Sequence, residues 1–334
     1  MVKYWSADDR VRYADTADKN GRLQEIIQNV HKILDWRLDG DEESALVVVD
    51  TETSPMIYQT IAGVLSTLGV ETTISIIAQQ DGQNSEPPAE VGEAAKRSDV
   101  IINLGKSALF HSDAMQHAVQ DLGAAYLYLA DTTENYFTRG AVDADPAKLD
   151  EFTRRIADIL QSSDRIRVTS PQGTDVEFRV DGSRQSPFVG YPAGETPLCP
   201  IEESVDGTVV VDSYMMGVGL VEEPIVWDVE GGRIREICGG REARKLRRFI
   251  EKHGDENSRW IAEFAVMTNE MARPNGIYIE HLSVGGGTHF ALGNGTSLGG
   301  KYDSEIHLDG AQLEPTVTVD GETLVEAGEF AIER

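Results

Sequence analysis

The sequence predicts an α/β N-terminal domain built on a Rossmann-like parallel sheet, followed by a β-rich α+β C-terminal domain. Three observations carry this prediction. Short apolar runs alternate with amphipathic helical patterns through the first half, and after about residue 165 the pattern changes to β-rich stretches punctuated by Asp-Gly turns. The chain of 334 residues is 40% hydrophobic, enough apolar material for one large core or two medium ones.

Taken in order, Leu23–Arg37 has the apolar spacing of a helix, and Ala45–Asp50 (ALVVVD) reads as a buried strand. Residues 55–68 read as the next helix, with Thr53 or Ser54 as its cap and Pro55 in its first turn. Thr72–Ala78, Asp99–Leu104 and Ala124–Ala130 read as further buried strands, separated by helical patterns over 89–97 and 111–121. A parallel sheet of this kind invites a dinucleotide. The loop after the first strand runs Asp50-Thr-Glu-Thr-Ser-Pro55, with two acids and no glycine, so it lacks the close backbone approach that a pyrophosphate needs. The boundary is expected near Ser162–Ser163, giving domains of 1–163 and 164–334. Beyond it, Arg165–Thr169 and Asp175–Val180 flank Pro171-Gln-Gly173 as a hairpin. Asp181-Gly182, Asp206-Gly207 and Asp320-Gly321 signal tight turns, and Arg241–Lys252 forms one helical island.

Lys and Arg number 30 against 57 Asp and Glu, a formal net charge of −27, with the acid spread over both halves. Such a surface repels nucleic acid and anionic membrane, and neither is expected as a partner. Only nine of the basic residues are Lys. A uniformly acidic, Lys-poor surface stays hydrated where salt screens ordinary repulsion, so the expectation is a halophile's cytoplasmic protein. Cys199 and Cys238 are far apart with no CxxC pattern, which indicates neither a disulfide framework nor a thiolate cluster. The N-terminus MVKYWSADDR has no apolar core and does not read as a signal peptide, and no apolar run reaches the roughly 18 residues of a membrane span.

Five candidate metal ligands lie in the second half: Glu195, Glu263, His289, His307 and Asp309. On a strand, residues i and i+2 share a face, so His307-Leu-Asp309 projects an imidazole and a carboxylate side by side. His289 follows Gly285-Gly-Gly-Thr, where glycines allow close backbone approach. Glu263 sits inside the apolar run Trp260-Ile-Ala-Glu-Phe-Ala-Val, and a buried carboxylate needs either a metal or an Arg beside it.

Together, Pro192-Ala-Gly-Glu195, Asp206-Gly-Thr-Val-Val-Val-Asp212, Ile261-Ala-Glu263-Phe-Ala, Gly287-Thr-His289-Phe-Ala-Leu-Gly293 and Ser304-Glu-Ile-His307-Leu-Asp309 resemble, in order and spacing, the aminopeptidase T and aminopeptidase S family of metallopeptidases. The resemblance implies a homodimer whose β-rich domain holds divalent metals on those five residues, with Glu195 and Glu263 acting on a metal-activated water. Zn, Co and Mn all suit the ligand set. One departure is visible. The family tyrosine falls at Thr296 here, and the nearest phenol is Tyr302, which is expected either to replace it or to mark altered chemistry. The same superfamily includes relatives that cleave dihydroxypyridine rings with one Fe(II), for which His289, His307 and Asp309 supply a two-His-one-carboxylate set. The sequence therefore favours an aminopeptidase-like hydrolase acting on a small peptide. A non-haem Fe(II) ring-cleaving dioxygenase acting on a small aromatic substrate is the alternative, and a binding or structural protein with a degenerate site stands third.

Overall fold

The computed structural model describes residues 19–78, 86–106, 109–184 and 189–333. The N-terminal decapeptide discussed above lies outside them.

Helix α1 (Lys19–Arg37) precedes β1 (Ser44–Asp50), α2 (Pro55–Thr67), β2 (Glu71–Ile77), α3 (Ala89–Ala95), β3 (Val100–Asn103), α4 (Asp113–Gln116), β4 (Ala125–Tyr128) and α5 (Pro146–Gln161). The four strands form a parallel sheet in the order β2-β1-β3-β4. Strand β1 is an apolar run because it is covered on both faces. Val47 and Val49 pack with Ile26, Val30, Ile57 and Ile61 of α1 and α2, while Leu46 and Val48 pack with Val91, Ala95 and Met115 of α3 and α4.

Two expectations need correction here. The strand expected over Thr72–Ala78 is present as β2 but is not buried as a whole: it is the sheet's edge, Ile77 alone in it is buried, and Ile76 is 57% exposed. β-Branched residues give it strand character without a core to enter. Ser54 is the cap position of α2, with Pro55 at the first turn, yet no side chain caps the helix. The Ser54 hydroxyl donates to Glu134 and that of Thr53 to Asp50 instead.

All of the strands after residue 163 belong to two antiparallel sheets. The first has six strands in the order β10-β9-β15-β14-β13-β7, comprising β7 (Glu195–Leu198), β9 (Tyr214–Met215), β10 (Gly219–Leu220), β13 (Ile261–Met267), β14 (Thr288–Gly293) and β15 (His307–Gln312). The second has eight, in the order β12-β11-β8-β6-β5-β16-β17-β18, from β5 (Arg165–Thr169), β6 (Asp175–Arg179), β8 (Asp206–Val211), β11 (Ile225–Glu230), β12 (Arg233–Gly239), β16 (Thr316–Val319), β17 (Glu322–Glu326) and β18 (Glu329–Phe330). The helical island is α6 (Arg241–His253). Asp320 and Gly321 both take positive φ, 49° and 90°, in the turn between β16 and β17. Asp206-Gly207, expected to turn, instead opens β8, because Gly207 lies against β6 so closely that a Cβ would come within 2.2 Å of the Asp175 carbonyl oxygen. The larger hydrophobic cluster takes residues from both sides of residue 163, so the α/β half and the β-rich half share one continuous core. Among the described residues no helix is long and apolar enough to cross a membrane.

Candidate active site

Strand register explains how five distant residues meet. In the β13–β14 ladder Glu263 lies opposite Ala291 and Ala265 opposite His289; in the β14–β15 ladder Ala291 faces Asp309 and Gly293 faces His307. Directly opposed residues share a face, and so do residues two apart. Glu263, His289, His307 and Asp309 therefore project from one face of the six-stranded sheet, and Glu195, opposite Met267, joins them from β7. The positions between them on that face are Ala265, Ala291 and Gly293, so no large side chain fills the space among the ligands.

The resulting cluster is tight. His289 Nε2 lies 3.0 Å from Glu263 Oε1, 3.3 Å from Glu195 Oε1 and 4.0 Å from Asp309 Oδ1. His307 Nε2 lies 3.1 Å from Asp309 Oδ1 and 3.3 Å from Glu263 Oε2. His307 Nδ1 is 2.6 Å from the Asn294 carbonyl oxygen, which can only accept; the proton therefore sits on Nδ1, and Nε2 is left to face the carboxylates. Two three-residue groups emerge, Glu195–Glu263–His289 and Glu263–His307–Asp309, with Glu263 common to both and the ligand atoms of each within 4.8 Å of one another.

Electrostatics follow from burial and crowding. Burial pushes Glu195 up to about 8, with the charges of Glu263 and Asp309 adding to it and His289 opposing. Burial acts the same way on Glu263, but hydrogen bonds and charge from His289 and His307 outweigh it and hold the group at about 2. Asp309 is held low by His307 against the same burial cost. Desolvation disfavours charge on His289, yet Glu263, Glu195 and Asp309 raise it to about 9, and His307 is raised well above its ordinary value by Asp309 and Glu263. Three carboxylates and two imidazoles thus converge in a buried place, and among the described residues no Lys or Arg forms an ion pair with them. That donor set fits a divalent cation, which supplies the positive charge the carboxylates otherwise draw from protonated imidazoles.

The cluster opens into a cavity of about 560 Å³ between the two halves. The α/β half contributes Phe110, His111, Tyr126 and Tyr128 to its wall. His111 stacks on His307 at 4.0 Å between ring centroids, and its Nδ1 is 2.8 Å from the Ser297 hydroxyl. Burial, with help from His307, lowers His111 to about 3, so it is a neutral imidazole near neutral pH. From the β-rich half, Tyr278 donates its hydroxyl hydrogen bond to Asp309 Oδ2.

The structure brings Glu195, Glu263, His289, His307 and Asp309 together and leaves Tyr302 out. Tyr302 stacks on Trp260 at 3.9 Å, bonds Glu203 at 3.2 Å, and does not line the cavity. Thr296 spends its hydroxyl on Asn294. The phenol that touches the cluster is Tyr278, which sequence reasoning missed together with His111. The signal for Tyr278 was weak, a lone phenol after the Asn275-Gly276 turn, and none marked His111, whose partners are 186 and 196 positions away.

Comparison with known proteins adds the following. A family model described as NicX, 2,5-dihydroxypyridine 5,6-dioxygenase, matches residues 42–332. Among solved structures, the 2,5-dihydroxypyridine dioxygenase from Pseudomonas putida KT2440 is 18% identical with a TM-score of 0.77, covering 96% of this chain and 99% of that one. Wild-type AmpT from Thermus thermophilus is 16% identical with a TM-score of 0.66, covering 92% of this chain and 99% of that one. At these identities the two likenesses show the shared fold. No curated protein matches the chain.

Proposed function

The chain belongs to the 2,5-dihydroxypyridine 5,6-dioxygenase family, and from that premise we propose that it is a metal-dependent dioxygenase that opens a hydroxylated, six-membered aromatic ring. The observation that supports this most is that His307 and Asp309, with His289 Nε2 4.0 Å from the Asp309 carboxylate, meet a cavity walled by Phe110, Tyr126, Tyr128 and Tyr278. Rings of this kind pack against a planar aromatic substrate and exclude water. Fe(II) held by two imidazoles and a carboxylate supplies open positions for a chelating substrate and for dioxygen.

The chain's own residues have separable tasks in this reading. The Asn294 carbonyl orients His307, and Tyr278 orients Asp309. Glu263 lies 3.0 Å from His289 Nε2 and 3.3 Å from His307 Nε2, so with those two nitrogens turned to the ion it would stand beside them as a further oxygen donor. His111, neutral and beside His307, can accept a hydrogen bond from a substrate hydroxyl at its free ring nitrogen. The setting we propose is a cytoplasmic, salt-adapted homodimer, on the strength of the acid-rich, Lys-poor composition and the family resemblance.

One feature favours a second reading, the aminopeptidase-type hydrolase. Two three-ligand groups sharing Glu263 would hold two ions, and Glu195 and Glu263 would then act on a metal-activated water. Against it stands Thr296 at the position of the family tyrosine, with Tyr302 placed elsewhere.

Anaerobic loading with Fe(II), followed by oxygen uptake with 2,5-dihydroxypyridine, tests the first reading, which expects uptake in step with loss of the ring's absorbance and one iron per chain. Two Zn, Co or Mn ions per chain, with release of an N-terminal residue from a short peptide and no oxygen uptake, would overturn it in favour of the second.

A further inference from the structure

Arg37 lines the same cavity as Glu263, His307 and Asp309, and it is the one Lys or Arg among the described residues that do so. It closes the last turn of α1, half-buried, where burial lowers its pKa and only the charge of Asp150 opposes that effect. Asp150 is itself committed. Its Oδ2 accepts the Trp36 indole N–H at 2.8 Å, and its Oδ1 accepts the Tyr191 backbone N–H at 2.6 Å. Among the described residues no side chain or carbonyl accepts a hydrogen bond from the Arg37 guanidinium. A guanidinium carries five N–H donors in a planar fork and no acceptor, so one left partly desolvated calls for an anion, and a carboxylate matches its geometry in two parallel bonds.

The rest of the cavity sets where such an anion can lie. Near the ligands, the carboxylates of Glu263 and Asp309 repel a substrate anion that is not itself bound to the metal. Much of the remaining wall is apolar, with Leu127, Leu129, Val189 and Ile279. There is also room. A bare dihydroxypyridine, at about 30 Å³ for each water-sized atom, fills less than half of the 560 Å³.

Resting on the ring-cleaving reading above, we infer that the substrate is a hydroxylated heteroaromatic ring bearing a carboxylate, and that Arg37 determines specificity by holding that carboxylate while the ring hydroxyls face His289, His307 and Asp309. The competing role for Arg37 is a helix-end cation complementing the C-terminal dipole of α1, which would influence stability slightly and ligand choice not at all.

The test uses the full chain loaded with Zn, which does not change redox state, and measures binding of 2,5-dihydroxypyridine and of its 3- and 4-carboxylates by calorimetry for wild type, Arg37→Gln and Arg37→Lys. Wild type is expected to bind one carboxylated ring about 10- to 100-fold more tightly than the bare ring, as charge-assisted paired hydrogen bonds provide. Arg37→Gln should erase that preference with its melting temperature unchanged, and Arg37→Lys should keep part of it. Equal binding of the rings by wild type, no binding of any of them, or a preference that survives in Arg37→Gln overturns the inference. Oxygen uptake by the Fe(II)-loaded protein separates the two levels. An Arg37-dependent preference without uptake removes the ring-cleaving reading and leaves the carboxylate contact, whereas uptake with both rings alike, unaltered in Arg37→Gln, does the reverse.

Discussion

From the six-stranded sheet the cavity receives Glu263, His307 and Asp309, with His289 beside them, all on central strands with both neighbours paired. From the α/β half it receives Phe110, His111, Tyr126 and Tyr128, placed at a strand and at a short 3-10 turn. The first set is fixed by ladder register, which admits one arrangement, since a one-residue slip would turn every ligand to the opposite face. The second set is fixed only by how one half docks on the other. Charged chemistry has therefore been placed where the backbone leaves least freedom, and substrate shape where packing can be altered without dismantling the ligands.

Changes that break this division rank by size. Replacing His307 or Asp309 with Ala should remove metal and abolish turnover while the melting temperature stays close to wild type, because flanking strands hold β15 in place; full metal content in either variant would contradict the assignment. Glu263→Gln comes next. It should cost on the order of 10²-fold or more if Glu263 acts on a metal-bound water, but about 10- to 100-fold if it only supports the ligands beside it, so single-turnover rates with each metal sharpen the comparison. On the docked side, His111→Ala should slow turnover about 10-fold, as the loss of one hydrogen bond to the substrate does, with metal content unchanged, and metal loss in this variant would show that the wall also builds the ligand face.

Two further predictions address what joins the halves. Glu280, buried, accepts from the backbone N–H of Ala141 at 3.0 Å and of Arg273 at 2.7 Å, tying the α/β half to the β-rich half. Burial raises it to about 7 against the backbone bonds that lower it. Its pKa is higher folded than unfolded, so the folded state binds the extra proton, and its contribution to stability declines as pH rises from about 4.5 to about 7. Glu280→Gln should flatten that part of the stability curve, measured by denaturant unfolding across the window. The smallest separation expected between the halves is in their response to salt. With −27 spread over both, the melting temperature should rise as one transition between roughly 0.1 and 2 M KCl; a flat profile would remove the salt-adapted setting.

How far the sequence could be read follows the same division. His307 and Asp309 were visible because a period of two is a local property, and Glu263 because an acid inside an apolar run contradicts its surroundings. Glu195 was recoverable only through the ordered motifs around it. Tyr302 was a misplaced expectation, since nearness along the chain put it beside His307 while its ring had a better stacking partner in Trp260. His111 and Arg37 carry no local signature, as their meaning depends on the docking of two halves. Strand β2 shows the limit for the fold: a run rich in β-branched Thr and Ile identifies a strand, but neither it nor its neighbours say that the strand ends the sheet.

Ala265, Ala291 and Gly293, the small residues among the ligands, carry a further consequence. In most sheets the inward face is upholstered with branched side chains, and here the upholstery has been left off at the middle of three strands. A single enlargement such as Ala291→Leu would refill the gap without disturbing the register, converting a seat for an ion into ordinary packing. Evolution could therefore retire this site, or reopen it, by trading a few methyl groups while every ligand stayed in place.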